Sequence, residues 1–296
     1  MGSSTISLGL GLGGGKSGTS SGRPGGGSYD NGLCASLDGT DDYVGIAGLA
    51  SRSLGALSMW VNITSANGIH SGGTDTDEMG MLAGFGPHTG GTGGYDGLNW
   101  GSFLTDTDLL TLRANSTVIA KYQVPSAGDK LAAGWHHIVL THNGTGYTFY
   151  IDGVIATSAP LSDGSTGGTI TTDTHSILTG GTFETLTNQT PNIRIKIGGN
   201  RNNTNYSQGL WDEVALFDSA LSASQITTIY NSGVPGDISS LSPNGWWRMG
   251  DGTGDTNSSG GSPSNTDTIG TVADQSGNSN NASGINGPTY SSSVPT

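Results

Sequence analysis

Between Gly134 and Thr157 apolar and polar residues alternate with period two, and the alternation is broken twice by turn signals. Trp135 to His142 reads as one strand, Asn143-Gly144 as a tight hairpin connection, and Tyr147, Phe149 and Ile151 as one face of the returning strand. Asp152-Gly153 turns the chain again into Val154 to Thr157, so the stretch predicts a three-stranded β-meander. The same period recurs upstream. Leu33, Ala35 and Leu37 lead through an Asp38-Gly39 turn to a return at Tyr43 to Ile46, and Leu57, Met59, Val61 and Ile63 line one face of a strand whose other face carries Ser58, Trp60 and Asn62. Met81 to Phe85, Trp100 to Leu104, Leu109 to Leu112 and Val118 to Tyr122 read as further strands. The polar stretches 64–79 and 86–98 between them read as long loops, where binding on a β scaffold usually resides.

Downstream, Pro160 to Pro191 is mostly Gly, Ser and Thr, after which Ile193, Ile195 and Ile197 alternate with Arg194 and Lys196, a strand with one wet face. Leu210 to Phe217 is another strand and leads into a helix. Ser222 and Gln225 set its capping box, Ile226, Ile229 and Tyr230 its apolar stripe, and Gly233 its stop. One short helix among many strands predicts an all-β fold, a two-sheet antiparallel jelly-roll sandwich over residues 29–235. Leu57, Met59, Val61, Val139, Phe149, Ile195 and Val214 are expected on its inner faces.

Composition changes this picture at the start of the chain. With 53 Gly and 11 % charged residues, the 296-residue chain is richer in turns and tails than an average domain. Residues 1–28 are Gly/Ser-rich, lack a basic leader and interrupt every apolar residue, so neither a signal peptide nor a membrane span is expected there. Two phosphate-loop readings fail. Leu10 stands where a loop ending at Gly15-Lys16-Ser17 needs Gly, and Gly9, Gly11 and Gly14 follow no strand and open no helix. Ile6, Leu8, Leu10 and Leu12 instead alternate with Ser7, Gly9 and Gly11, which predicts an added strand docking on the sheet edge of another subunit. The net charge of -13 repels phosphate backbones and argues against nucleic-acid binding. The single cysteine, Cys34, cannot form an internal disulfide and reads as a small buried residue.

The segments LDGTDDYVGI (37–46), LSMWVNI (57–63), GWHHIVLTHNGTGYTFYIDG (134–153), IKIGGN (195–200) and GLWDEVALFDSALSASQITTIYNSG (209–233) together resemble the laminin-G-like, concanavalin A-like lectin/glucanase superfamily, in its pentraxin-type branch. WWRMGDG (246–252) and ADQSGNSNNASG (273–284) resemble elements that such domains usually carry first, yet here they come last. That order implies either a circular permutation, with 236–296 completing the sandwich through a strand at Trp246 to Met249 beside Tyr43 to Ile46, or a truncated second repeat. A Gly-rich start before such a domain is also similar to structural proteins of tailed phages. This implies a virion-surface protein, of capsid or tail, that is assembled in the host cytoplasm and released by lysis. Its expected partners are other virion proteins, further copies of itself in an oligomer or lattice, and host surface glycans. The alternative is a free carbohydrate-binding module of a bacterial extracellular protein.

Hydrolases of the superfamily use two glutamates and an aspartate on one strand to flank the sugar bond. This chain has Glu78 in a loop, Glu184 in the Gly/Thr-rich excursion and Glu213 in WDEVALFD without a second Glu, so no catalysis is expected. His136 and His137 are adjacent on a strand, face opposite sides and cannot chelate one ion together. The resemblance implies calcium at one rim of the sandwich; its candidate ligands are Asp41 and Asp42, or Asp75, Asp77 and Glu78.

Overall fold

The alternating stretches pair into two antiparallel sheets whose apolar rows face each other. The computed structural model describes residues 29–49, 55–63, 70–71, 79–85, 88–89, 98–103, 108–114, 117–126, 131–172, 182–183, 194–200 and 206–296. The first sheet runs in the order Val154–Ile155, Tyr147–Ile151, Gly134–His142, Ala56–Ile63, Ser207–Phe217, Cys34–Asp38, Thr289–Ser291. The second runs Thr169–Thr172, Thr117–Gln123, Asp108–Ala114, Leu98–Phe103, Met79–Phe85, Ile195–Ile197, Tyr43–Ile46, Ala282–Ile285, Thr271–Val272. Leu57, Met59, Val61, Phe149 and Val214 of the first sheet share one buried cluster with Val44, Ile46, Ile195 and Ile197 of the second. The jelly-roll expectation therefore holds.

Val139 is the exception among the expected inner residues. Ile138 pairs with Met59 and Leu140 with Leu57, and these four are in the core, so Val139 opposite Ser58 lies on the outer face. It is buried all the same, because that face is covered too. Tyr230 of the helix Ala223–Tyr230 stacks on Trp60 at 5.7 Å and on His137 at 6.2 Å between ring centroids. With Ile138, Val139 and Leu140 all apolar, sequence alternation cannot say which face is which; the pairing does.

The turns follow local chemistry. Asp152 and Gly153 take φ of 49° and 81°, the left-handed pair of a two-residue hairpin. The Asn143-Gly144 connection is longer than expected, because His142 pairs with Tyr147 and the Asn143 carboxamide oxygen accepts from the Thr145 and Gly146 amides at 3.0 and 3.1 Å. The meander's third strand ends at Ile155, where a 3-10 turn at Ala156–Ser158 begins. The capping box of the helix is present, but its left-handed stop is Asn231 (φ 46°), not Gly233.

Residues beyond 236 are built into both sheets, and Asn31–Thr296 forms one compact unit. Gly245–Trp247 is a strand beside Val214 to Leu216, not beside Tyr43 to Ile46; the late strand that pairs with Tyr43–Ile46 is Ala282–Ile285. The reason is a bulge. The register between Ser207–Phe217 and Ala56–Ile63 slips between Asp212 and Ala215, with Glu213 at φ 47°. The bulge carboxylate accepts from Trp246 Nε1 at 2.6 Å and from Arg248 Nε at 3.0 Å, which draws the strand to that flank.

Candidate functional site

The chain crosses from the first sheet to the second between Cys34–Asp38 and Tyr43–Ile46, and this crossing forms part of one rim. Gly39 takes φ 78° there, with space for a side chain closed off by Gln208. Asp38 Oδ1 accepts from the Thr40 amide at 2.7 Å, and Asp42 Oδ1 accepts from the Asp38 amide at 2.9 Å. Asp42 is thereby turned inward. It is 3 % exposed, and burial pushes its carboxyl up to about 7. The Asp41 carbonyl accepts from Asn286 Nδ2 at 2.9 Å, and the charge of Asp41 helps to raise the Tyr206 phenol, behind the larger effect of burial.

An aromatic platform stands beside this turn on the outer face of the second sheet. Val44 faces the core, so its neighbour Tyr43 faces outward, opposite Ile285 on the paired strand. Tyr206 arrives through an isolated bridge to Gly199 and lies nearly parallel to Tyr43, at 6.3 Å and 23°. Tyr43 is buried, with Tyr206 and Ile285 half-buried around it. Burial, and then Tyr206, push the Tyr43 phenol up to about 12.

Lys196 lies next to this platform, and here the expected wet face of the strand is corrected. The residue is 0 % exposed. Its cross-strand neighbours are Gly45 and Gly84, neither of which offers a side chain, and the ring of Tyr43 lies over the amine at 4.5 Å from centroid to Nζ. Among the described residues Nζ has no hydrogen-bond partner. Burial lowers its pKa to about 8.

The carboxylates considered for sugar hydrolysis are held elsewhere. Glu213 is 5 % exposed and engaged by Trp246 and Arg248. Asp212 is fully buried, and burial first and Glu213 second push its carboxyl well above the usual range. Neither has the exposed, separated geometry that an acid and nucleophile flanking a glycosidic bond require. Glu78 and Glu184 lie outside the described residues. His136 and His137 do face opposite sides. His136 bridges Asp152 at 2.7 Å and the Ala132 carbonyl at 2.8 Å, while His137 bonds Ser58 Oγ at 2.7 Å and burial lowers its pKa to about 4.

Among the described residues no group of three or more His, Cys, Asp or Glu side chains is placed to hold a metal ion. Asp42 is turned inward, 3 % exposed, with Oδ1 already accepting from the Asp38 amide, and so does not present an open oxygen to a cation at this rim. Asp75, Asp77 and Glu78 lie outside the described residues, as do Ile6, Leu8, Leu10 and Leu12. Sequence reasoning missed Tyr206, Ile285 and Lys196. The only sequence signal for Lys196 is its position between two isoleucines, which it shares with any surface lysine on a half-buried strand.

A laminin-G family profile, described as concanavalin A-like lectin/glucanases superfamily, matches residues 38–185, half of the chain. Among solved structures, a protein from Bacteroides ovatus ATCC 8483 that is proposed to bind carbohydrate superposes with a TM-score of 0.52 at 14 % identity, over 89 % of this chain and 61 % of that one. The chain thus spans about three fifths of that relative's length. A heptameric SAP-like pentraxin from Limulus polyphemus matches at TM-score 0.35 and 15 % identity, over 66 % of this chain and 83 % of its own. Domains LG4-5 of the mouse laminin alpha1 chain match at 0.35 and 13 %, over 64 % and 41 %. No curated protein matches the sequence.

Proposed function

Because this chain belongs to the concanavalin A-like lectin/glucanase superfamily, we propose that it is a non-catalytic, lectin-like protein whose rim site at Tyr43, Tyr206 and Ile285 binds glycans. The observation that carries this reading is the pair of partly exposed side chains Tyr206 and Ile285 backed by buried Tyr43, since sugar rings present C–H faces that stack on tyrosine while their hydroxyls find polar groups such as Asp41 and Asn286 nearby. The engagement of Glu213 by Trp246 and Arg248 supports the absence of hydrolysis.

We further propose that the protein is displayed on a virion, held to capsid or tail proteins or to further copies of itself through Ile6, Leu8, Leu10 and Leu12. Support comes from the alternating pattern of that segment and from the similarity of its Gly-rich setting to phage structural proteins. Burying four aliphatic side chains gains roughly 8 kcal/mol gross, which the ordering of seven residues largely offsets, so attachment needs many copies. A free carbohydrate-binding module is the second reading, favoured by the likeness in fold to the Bacteroides ovatus protein.

Binding to a panel of β-glucans and bacterial surface polysaccharides tests the glycan reading. Wild-type protein is expected to bind at least one of them, and Tyr206→Ala to lose that binding; retention of binding by the variant would refute the site. Deletion of residues 1–28 tests the display. The truncated chain is expected to fold normally and fail to join its particle, whereas assembly at the full-length level would refute docking through the tail.

A further inference from the structure

We propose that the rim site selects saccharides carrying a negative charge, a carboxylate or a sulfate, and that Lys196 is the selecting group. The inference rests on the glycan-binding reading of the same platform and names its ligand class. Withdrawing an ammonium from water costs several kcal/mol, and natural folds normally offset this with a carboxylate or with hydrogen bonds. Among the described residues Lys196 has neither: it is 0 % exposed, and Nζ has no hydrogen-bond partner. Its charge-stabilising contact among the described residues is the face of Tyr43, at 4.5 Å, and a cation over an aromatic ring recovers only a small part of that cost. A methionine of similar volume between Ile195 and Ile197 would serve packing without that cost. The row around it is bare, because Gly45 and Gly84 are its partners on both sides, so no neighbour in the ladder was built to neutralise it.

The uncompensated charge lies against the platform. Tyr43 touches both the amine, at 4.5 Å from its centroid, and the ring of Tyr206, at 6.3 Å between centroids, and Tyr206 is the more accessible of the two rings. A sugar seated on Tyr206 and Ile285 comes close to this cation across low-dielectric material, where an ionic attraction reaches further than in water. The rest of the molecule opposes acidic ligands, since its net charge is -13. A preference for an acidic glycan must therefore be local, and among the described residues Lys196 is a cation in contact with the platform.

The test uses the full-length protein and two matched pairs of polymers: polygalacturonate with its methyl ester, and dextran sulfate with dextran. The acidic member of at least one pair is expected to bind about tenfold more tightly than its neutral partner, a difference of ~1.4 kcal/mol. The pair that shows it tells carboxylate from sulfate. In Lys196→Gln the ratio is expected to fall to within about twofold, and in Lys196→Arg to persist; thermal melts of both variants establish that they are folded. Equal binding within both pairs, or an undiminished ratio in folded Lys196→Gln, would overturn the inference while leaving glycan binding intact. Binding to none of the four polymers would overturn both.

Discussion

Trp247→Ala measures whether the C-terminal segment is part of the main core. The indole is 0 % exposed, belongs to the same buried cluster as Met59 and Ile195, and donates Nε1–H to the Asn280 carbonyl at 2.8 Å. Removing a buried Trp side chain costs about 3–5 kcal/mol through lost transfer energy and residual cavity. The stranded Asn280 carbonyl adds about 1–3 kcal/mol. At roughly 2–4 °C per kcal/mol for a unit of this size, the melting temperature is expected to fall by about 8–32 °C. Differential scanning calorimetry is the assay, because it also counts transitions. A single transition that moves as a whole is the expected result, since Trp247 packs against strands from both sheets. A shift below about 3 °C, or a separate small transition that moves while the main one stays, would refute the reasoning.

Gly153→Ala is expected to cost about 1–2 kcal/mol, because φ is 81° there and the new methyl would meet the Tyr230 ring at 2.7 Å; urea titration reads it, and an unchanged midpoint contradicts the turn geometry. Asp42→Asn is expected to flatten the stability–pH curve. The native carboxyl holds its proton up to about pH 7, whereas the unfolded chain releases it near 3.8, so wild type loses stability as pH rises through that window and the variant loses less. Denaturation midpoints at pH 4.5 and 7.5 check this, and parallel changes in both proteins would contradict it. Incubation with β-glucans is expected to release no reducing ends; release that disappears in Glu213→Gln would assign catalysis to a carboxylate now described as engaged by Trp246 and Arg248.

How far the sequence carried depends on whether one face of an element is wet. Leu57, Met59 and Val61 were legible because Ser58 and Asn62 mark the other side, and the helix start was legible because Ser222 and Gln225 act within one turn. Val139 was not, since the helix buries the outer face as well and the run Ile138 to Leu140 carries no parity. The site was the least legible part. Tyr43, Tyr206 and Ile285 meet only through two separate strand pairings, and Lys196 became anomalous only once Gly45, Gly84 and Tyr43 were known to surround it. The placement of Trp246 failed for a related reason: the bulge at Glu213 that captures it is a backbone irregularity with no pattern of its own.

The late strands Ala282–Ile285 and Thr289–Ser291, paired to Tyr43–Ile46 and Cys34–Asp38, set a condition on how the molecule comes into being. During synthesis the strands near residue 40 must wait for partners some 240 residues away, about 12–50 s at ribosomal rates. Until then both sheets present an open edge to whatever else is in solution. Pairings of such long separation also make closure slow after the chain is complete. The protein should therefore depend on chaperones early, refold poorly at high concentration, and become resistant to protease only after residues 282–291 have been made.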